Sequence, residues 1–290
     1  VVCGLFWKEI SAARFEFSAL EENFHLQSTD VETRHNPVFD LVISPFGNAL
    51  FYRDHRGQVF RQELVADNNR RGSAKDLFPG RSCENMKVSP VENRLAAAFS
   101  TGELCLQDLD SSDEPVVLLK KGHRIIESLA FNPDGSLLAA GMVNGSVIVW
   151  NMQSLETISV IRGKNTTVSA VLFDTPTSLL ISFESGLERW TFREPNSPQK
   201  RWRKKQDWKL DQSLAREMAV TTDGRFLLAS SLHGSLTCWD LQTQQRAWEL
   251  QSNLPCVRSL EISRDETSFV CHDDADTITV RDLKNGEPKI

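Results

Sequence analysis

Short apolar runs recur along the chain, each four to six residues long and each bounded by Pro, Gly, Asn or Asp. The clearest stretch, residues 128–151, reads as strand, Pro133-Asp134-Gly135 turn, strand, Asn144-Gly145 turn, strand. Asp-Gly and Asn-Gly supply the positive φ angles that tight hairpin turns demand. The branched residues of Ser146-Val-Ile-Val-Trp150 predict a pleated, half-buried strand.

The same grammar returns five more times. Ser44-Pro-Phe-Gly47 leads to Gly57, and Ser89-Pro-Val-Glu92 to Gly102. Phe173-Asp-Thr-Pro-Thr177 leads to Gly186, Thr222-Asp-Gly224 to Gly234, and Ser263-Arg-Asp-Glu266 to Asp276. The residues opening the second turn (Gly57, Gly102, Gly145, Gly186, Gly234, Asp276) are 41 to 48 positions apart. That is the period of a four-stranded propeller blade. In four copies the first turn also keeps a fixed distance from the second, with Glu92 in the glycine's place in one of them. Two registers held at once make this a repeat protein.

With these turns on the page, the chain resembles the WD-repeat family over about residues 13 to 290. Gly122-His123 matches the pair that opens a family repeat, and Trp239-Asp240 the pair that closes one. Elsewhere the closing pair has drifted, to Trp150-Asn151 and Trp190-Thr191 among others. The family's hydrogen-bonded tetrad of His, turn Asp, Ser/Thr and Trp is complete in no copy, and Asn144 stands where its aspartate belongs in the copy that holds His123. The resemblance implies an all-β propeller of four-stranded antiparallel blades, divergent in its polar struts. It gives His123, Asn144, Trp150, Trp190, Trp239 and Asp240 structural roles.

Six repeats are visible. Residues 13–20 alternate like a third strand and 23–27 like a fourth, which makes an N-terminal half-blade and favours seven blades over six. An open ring would leave unpaired strand edges, so the terminal strands are expected to pair. Residues 1–12 form an extension, or the remnant of an upstream segment, ahead of the propeller of residues 13–290. The start at Val1 without Met is read as that of a fragment or processed product. Cytoplasmic localisation follows only if no signal or anchor segment precedes it.

Composition changes this picture little. Apolar residues make up 40% and charged residues 25%, with a formal net charge of -6, so no global field favours nucleic acid. The six cysteines form no C-x-x-C pair and read as buried, reduced thiols. The six histidines show no metal-ligand spacing, and Asp273-Asp-Ala-Asp276 falls where turn aspartates are common. No nucleophile elbow, phosphate-binding loop or zinc-protease motif occurs. No cofactor or metal is expected, and the chain reads as a non-enzyme.

Two surfaces are left as candidates. The loops that lead into each blade's first strand gather on one face in the family, and by register they carry Arg34, His35, Arg124, Glu127, Arg216, Glu217 and Arg258. The second is a basic, aromatic run containing Lys200, Arg201, Trp202, Arg203, Lys204, Lys205 and Trp208. It is either an outer edge strand guarded by its charges or a patch for an acidic partner. The expected partners are other proteins or peptides, with no specific nucleic acid. Membrane contact is open only to a segment ahead of Val1 or to the basic run. A scaffold is therefore the leading function, with a sensory or regulatory module of a larger protein, or a propeller enzyme with a channel-facing site, as alternatives.

Overall fold

A computed structural model describes residues 38–46, 49–63, 74–111, 113–122, 125–162, 166–183, 186–192, 202–208, 215–231, 234–250, 257–263, 265–273 and 278–289. The half-blade expected at residues 13–27 lies outside them.

Among the described residues the strands form six antiparallel sheets in chain order, which are the blades. Blade 1 holds β1 (Val38–Ile43), β2 (Ala49–Asp54), β3 (Val59–Glu63) and β4 (Lys75–Asp76). Blade 2 holds β5 (Cys83–Val88), β6 (Arg94–Phe99), β7 (Leu104–Asp108) and β8 (Val116–Leu119). Blade 3 is β9 (Ile126–Phe131), β10 (Leu137–Met142), β11 (Ser146–Asn151) and β12 (Thr157–Arg162). Blade 4 is β13 (Val168–Thr175), β14 (Ser178–Phe183), β15 (Gly186–Phe192) and β16 (Trp202–Trp208). Blade 5 is β17 (Ala215–Val220), β18 (Phe226–Ser231), β19 (Leu236–Asp240) and β20 (Gln245–Leu250). Blade 6 has three strands, β21 (Val257–Ile262), β22 (Ser268–Asp273) and β23 (Ile278–Asp282). Its fourth position is begun by residues 287–289: Pro288 bridges Arg281, and Lys289 N donates to Val280 O at 2.8 Å.

The first strands of successive blades pack against one another in order from β1 to β21. This stacking decides what each side chain meets. In β10, Leu137 and Ala139 point into the core shared with blade 4, whereas Leu138, Ala140 and Met142 point into the core shared with blade 2. In β14, Leu179, Ile181 and Phe183 face blade 3 while Leu180 faces blade 5. The period of 2 persists, but both faces are buried. The expectation of a half-buried strand at residues 146–150 is corrected accordingly. Ser146, Val147, Ile148, Val149 and Trp150 are all buried, because a neighbouring blade covers each side. Each Leu, Ile or Phe so buried contributes about 1.5–3 kcal/mol, which places the cohesion of the fold between blades.

The blades approach closely where the chain carries glycine. A Cβ on Gly141 would lie 2.4 Å from Val168 Cγ1 of the next blade, so only a hydrogen fits there. Gly57 turns at φ +75° and its carbonyl accepts from Cys83 N at 2.8 Å, tying the turn of blade 1 to the first strand of blade 2. The second turns of four blades share one form, in which Gly57, Gly102, Gly145 and Gly234 donate to the carbonyl three residues back.

Local polar struts hold the first turns. The residue that follows strand 1 donates its backbone N–H to the carbonyl five positions on in five blades: Ser44 to Ala49, Ser89 to Arg94, Asn132 to Leu137, Thr221 to Phe226 and Ser263 to Ser268. The side chains of Ser44, Asn132, Thr221 and Ser263 also accept from the N–H five positions ahead, at 2.8 to 3.2 Å. All of these strut residues are buried, so each hydroxyl or amide satisfies a backbone group that water does not reach.

Candidate functional site

Inner strands begin with a common irregularity. The pairing of strand 1 with strand 2 slips by one residue near its start in all six blades, between Val38 and Asp40, Cys83 and Asn85, Ile126 and Ser128, Val168 and Ala170, Ala215 and Glu217, and Val257 and Ser259. The skipped residues are Phe39, Glu84, Glu127, Ser169, Arg216 and Arg258. A bulge of this kind re-aims the extra side chain out of the ladder, and Glu84, Glu127 and Arg216 are exposed. Strand order sets all six at the end of the blades that also carries the second turns. They form a rim on one face, around the strands nearest the centre.

Three of the expected rim residues, Glu127, Arg216 and Arg258, fall on this bulge position, and Glu217 follows it. Glu127 and Arg216 are exposed, whereas Glu217 is half-buried and its N–H donates to Ser230 Oγ at 3.2 Å. Arg34, His35, Arg124 and His123 lie outside the described residues. Glu84 is an exposed residue that the reading by loop register missed. Its signal was available: Phe39, Glu84, Glu127, Arg216 and Arg258 each stand eighteen positions ahead of the residue opening their own blade's second turn.

The rim is polarised. Blades 2 and 3 present Glu84 and Glu127, and blades 5 and 6 hold Arg216 and Arg258 at the same register, with Ser169 between them on blade 4. Adjacent rim positions are tied together: Asn85 Nδ2 donates to Glu127 O at 3.2 Å, and Val171 N to Ser128 Oγ at 3.0 Å. Beside Glu127, Val143 N donates to Ile125 O at 3.1 Å, and both side chains are exposed, which adds an apolar element to the acidic half.

The basic run is placed on β16, the outer strand of blade 4. Trp202 is buried, 6.0 Å from Phe173 and 5.4 Å from Phe192 between ring centroids, so it covers its blade. Arg203, Lys204 and Lys205 are exposed. Lys204 Nζ lies 2.7 Å from Glu188 Oε1, and Glu188 Oε2 accepts from Trp190 Nε1 at 2.9 Å. That lysine therefore neutralises a buried carboxylate. Trp208 ends the strand, while Lys200 and Arg201 lie outside the described residues.

The remaining repeat positions serve the fold. Trp150, Trp190 and Trp239 each face the preceding blade from the third strand. Asn144 Oδ1 accepts from Ser146 N at 3.1 Å and from Ser146 Oγ at 2.5 Å. Asp240 and Asn151 do the same work in the third turn, each accepting through Oδ1 from the N–H groups two and three residues ahead. An asparagine substitutes because the turn needs only that oxygen. Among the described residues no group of three His, Cys, Asp or Glu is placed to hold a metal ion.

Stacked four-stranded blades joined by buried inter-blade cores, with exposed chemistry on a rim and on outer strands, define a β-propeller. The family model described as "WD domain, G-beta repeat" matches residues 114–151, which run from the outer strand of blade 2 through the third strand of blade 3. The fold matches the β-propeller domain of Cps50 (Swd1) from Myceliophteria thermophila with a TM-score of 0.71 at 13% identity, over 84% of this chain and 83% of that one. No curated protein matches the chain in sequence. The chain is a β-propeller in fold, and its residues 114–151 are similar to a WD repeat. WD-repeat propellers in general serve as protein-interaction scaffolds.

Proposed function

We propose that this chain is a non-catalytic scaffold that docks partner proteins on the strand-1 rim and on the blade sides. The observation that carries the reading is the polarised ring of bulged residues, acidic at Glu84 and Glu127 and basic at Arg216 and Arg258. Opposite charges on the two halves of one rim orient a partner as well as attract it. The partner chemistry that fits is an elongated protein segment, basic where it meets blades 2 and 3 and acidic where it meets blades 5 and 6. The exposed Arg203 and Lys205 of β16 offer a second, separate surface on a blade side.

Quantitative capture from cell extract tests this with the wild-type chain, an E84K/E127K variant, an R216E/R258E variant and an R201E/R203E/K205E variant. Partners docking on the rim are lost with both rim variants and retained with the β16 variant. An unchanged set of partners across all four chains overturns the reading.

A further inference from the structure

Every outer strand of a propeller exposes one edge, and such edges are ordinarily blunted by charge. In this chain β4 carries Lys75 and Asp76, β12 ends on Arg162, β16 holds Arg203, Lys204 and Lys205, and β20 holds Arg246 and Glu249. Among the described outer strands the exception is β8, Val116-Val-Leu-Leu119, which has no charged residue. Val116 is 45% exposed and Val117 42% exposed. Among the described residues, β8 pairs with β7 and with no other strand. Its one-residue bulge at Leu118 does not distinguish it, since β12, β16 and β20 carry the same slip against their neighbours.

Charge sits at the two ends of this bare edge and differs in sign. Asp113 and Glu114 precede it, Lys120 and Lys121 follow it, and all four are exposed. Among the described residues none of the four side chains pairs with another side chain. An antiparallel strand laid along β8 must therefore be basic toward its C-terminal end and acidic toward its N-terminal end. The β8 segment itself has that polarity. Two copies pairing antiparallel about a two-fold at Val117 set Glu114 opposite Lys120 and Asp113 opposite Lys121, twice over. Opposite charges directly across a strand pair are favourable, and a patch that complements itself is what a two-fold interface requires.

From this edge we infer that the chain self-associates through β8, joining blade 2 of two copies into one continuous sheet. The contact is small, so the dimer is concentration-dependent rather than permanent. It is independent of the rim reading, because the rim lies at the ends of the inner strands and β8 on the outside of blade 2.

Sedimentation velocity of the full chain, over roughly a hundredfold range of concentration, is the test. The wild-type chain is expected to move from monomer to dimer. The all-acidic K120E/K121E variant and the all-basic D113K/E114K variant are each expected to stay monomeric, and an equimolar mixture of the two to regain the dimer. Val117→Lys, which puts a charge on the edge itself, also abolishes it. All these positions are exposed, and unchanged thermal unfolding confirms that the variants fold. A wild-type chain that stays monomeric throughout overturns the inference and leaves the edge to a different extended chain. So does a dimer that persists in both charge variants, or a mixture that fails to dimerise.

Discussion

Arg225 donates through Nε and Nη2 to Asp240 Oδ2, at 3.2 and 3.1 Å, while Asp240 Oδ1 accepts from Gln242 N and Thr243 N. One carboxylate thus serves both of its oxygens, tying the start of β18 to the end of β19 and closing the third turn of blade 5. The same guanidinium stacks 4.8 Å from the centroid of Phe226. The aspartate of the closing Trp-Asp pair is therefore a turn cap first and an ion-pair partner second.

The Asp240 carboxyl is held below the usual carboxylate range, chiefly by the N–H groups of Thr243 and Gln242 and then by Arg225. A depressed pKa contributes stability above the unfolded carboxylate value, about 4, and that contribution is lost as pH falls through the lower folded value. Asp282 and Asp265 are depressed in the same direction, by backbone N–H and by Ser263 Oγ respectively as the leading causes. Thermal melts followed from neutral pH into this acid window are expected to show wild type losing stability more steeply than Asp240→Asn. Asp240→Ala is expected to melt below both at neutral pH, because it loses the turn cap as well.

Asn132 is fully buried and makes three bonds: Oδ1 accepts from Leu137 N at 2.8 Å, and Nδ2 donates to Ser136 Oγ at 3.1 Å and Pro176 O at 3.0 Å. Asn132→Ala is expected to cost about 1–3 kcal/mol in urea unfolding, because it strands buried partners. Asn132→Ser, the residue type found at Ser44 and Ser263, retains the acceptor and is expected to cost less.

The approach of β10 to β13 at Gly141 and Val168 is a steric lock. Gly141→Ala is expected to cost about 1–3 kcal/mol, since the added methyl overpacks a backbone held on both faces. Val168→Ala removes the obstructing methyls. The double variant is expected to recover part of the loss, which appears as a non-additive coupling in a double-mutant cycle. Additive losses would show that blades 3 and 4 do not meet as described.

Cys83 and Cys238 are each pushed up to about 12, chiefly by burial, and Cys105 and Cys271 are raised for the same leading reason. All four thiols are free and buried. Iodoacetamide at mildly alkaline pH is expected to leave them unmodified in the native chain and to label them after denaturation, read by peptide mass spectrometry. A thiol whose folded pKa lies above its unfolded value favours the fold below the unfolded value, about 8.5. Stability is therefore expected to decline as pH rises beyond that point.

The repeat, the turns and the strand order were legible along the chain because each depends on neighbours in sequence. A positive φ at Gly57 or Gly145 is a two-residue requirement, and Ser44-Pro or Asn132-Pro sets a turn whose strut reaches the N–H only five positions ahead. The three strands of the 128–151 stretch followed from those punctuation marks, as β9, β10 and β11. The sequence by itself therefore determined the class of fold and the number of visible blades. Only the tertiary structure decided that β10, β11 and β14 have no polar face, because a second buried face exists only when another blade covers it. The polarised rim needed it too. Register along the chain put Glu127, Arg216 and Arg258 among the rim candidates, but the one-residue slip that sets Glu84 with them appears only when strands 1 and 2 are paired, since a bulge is a property of two strands. The bare edge of β8 follows the same logic: the absence of charge is in the sequence, but its exposure depends on which strand lies outermost.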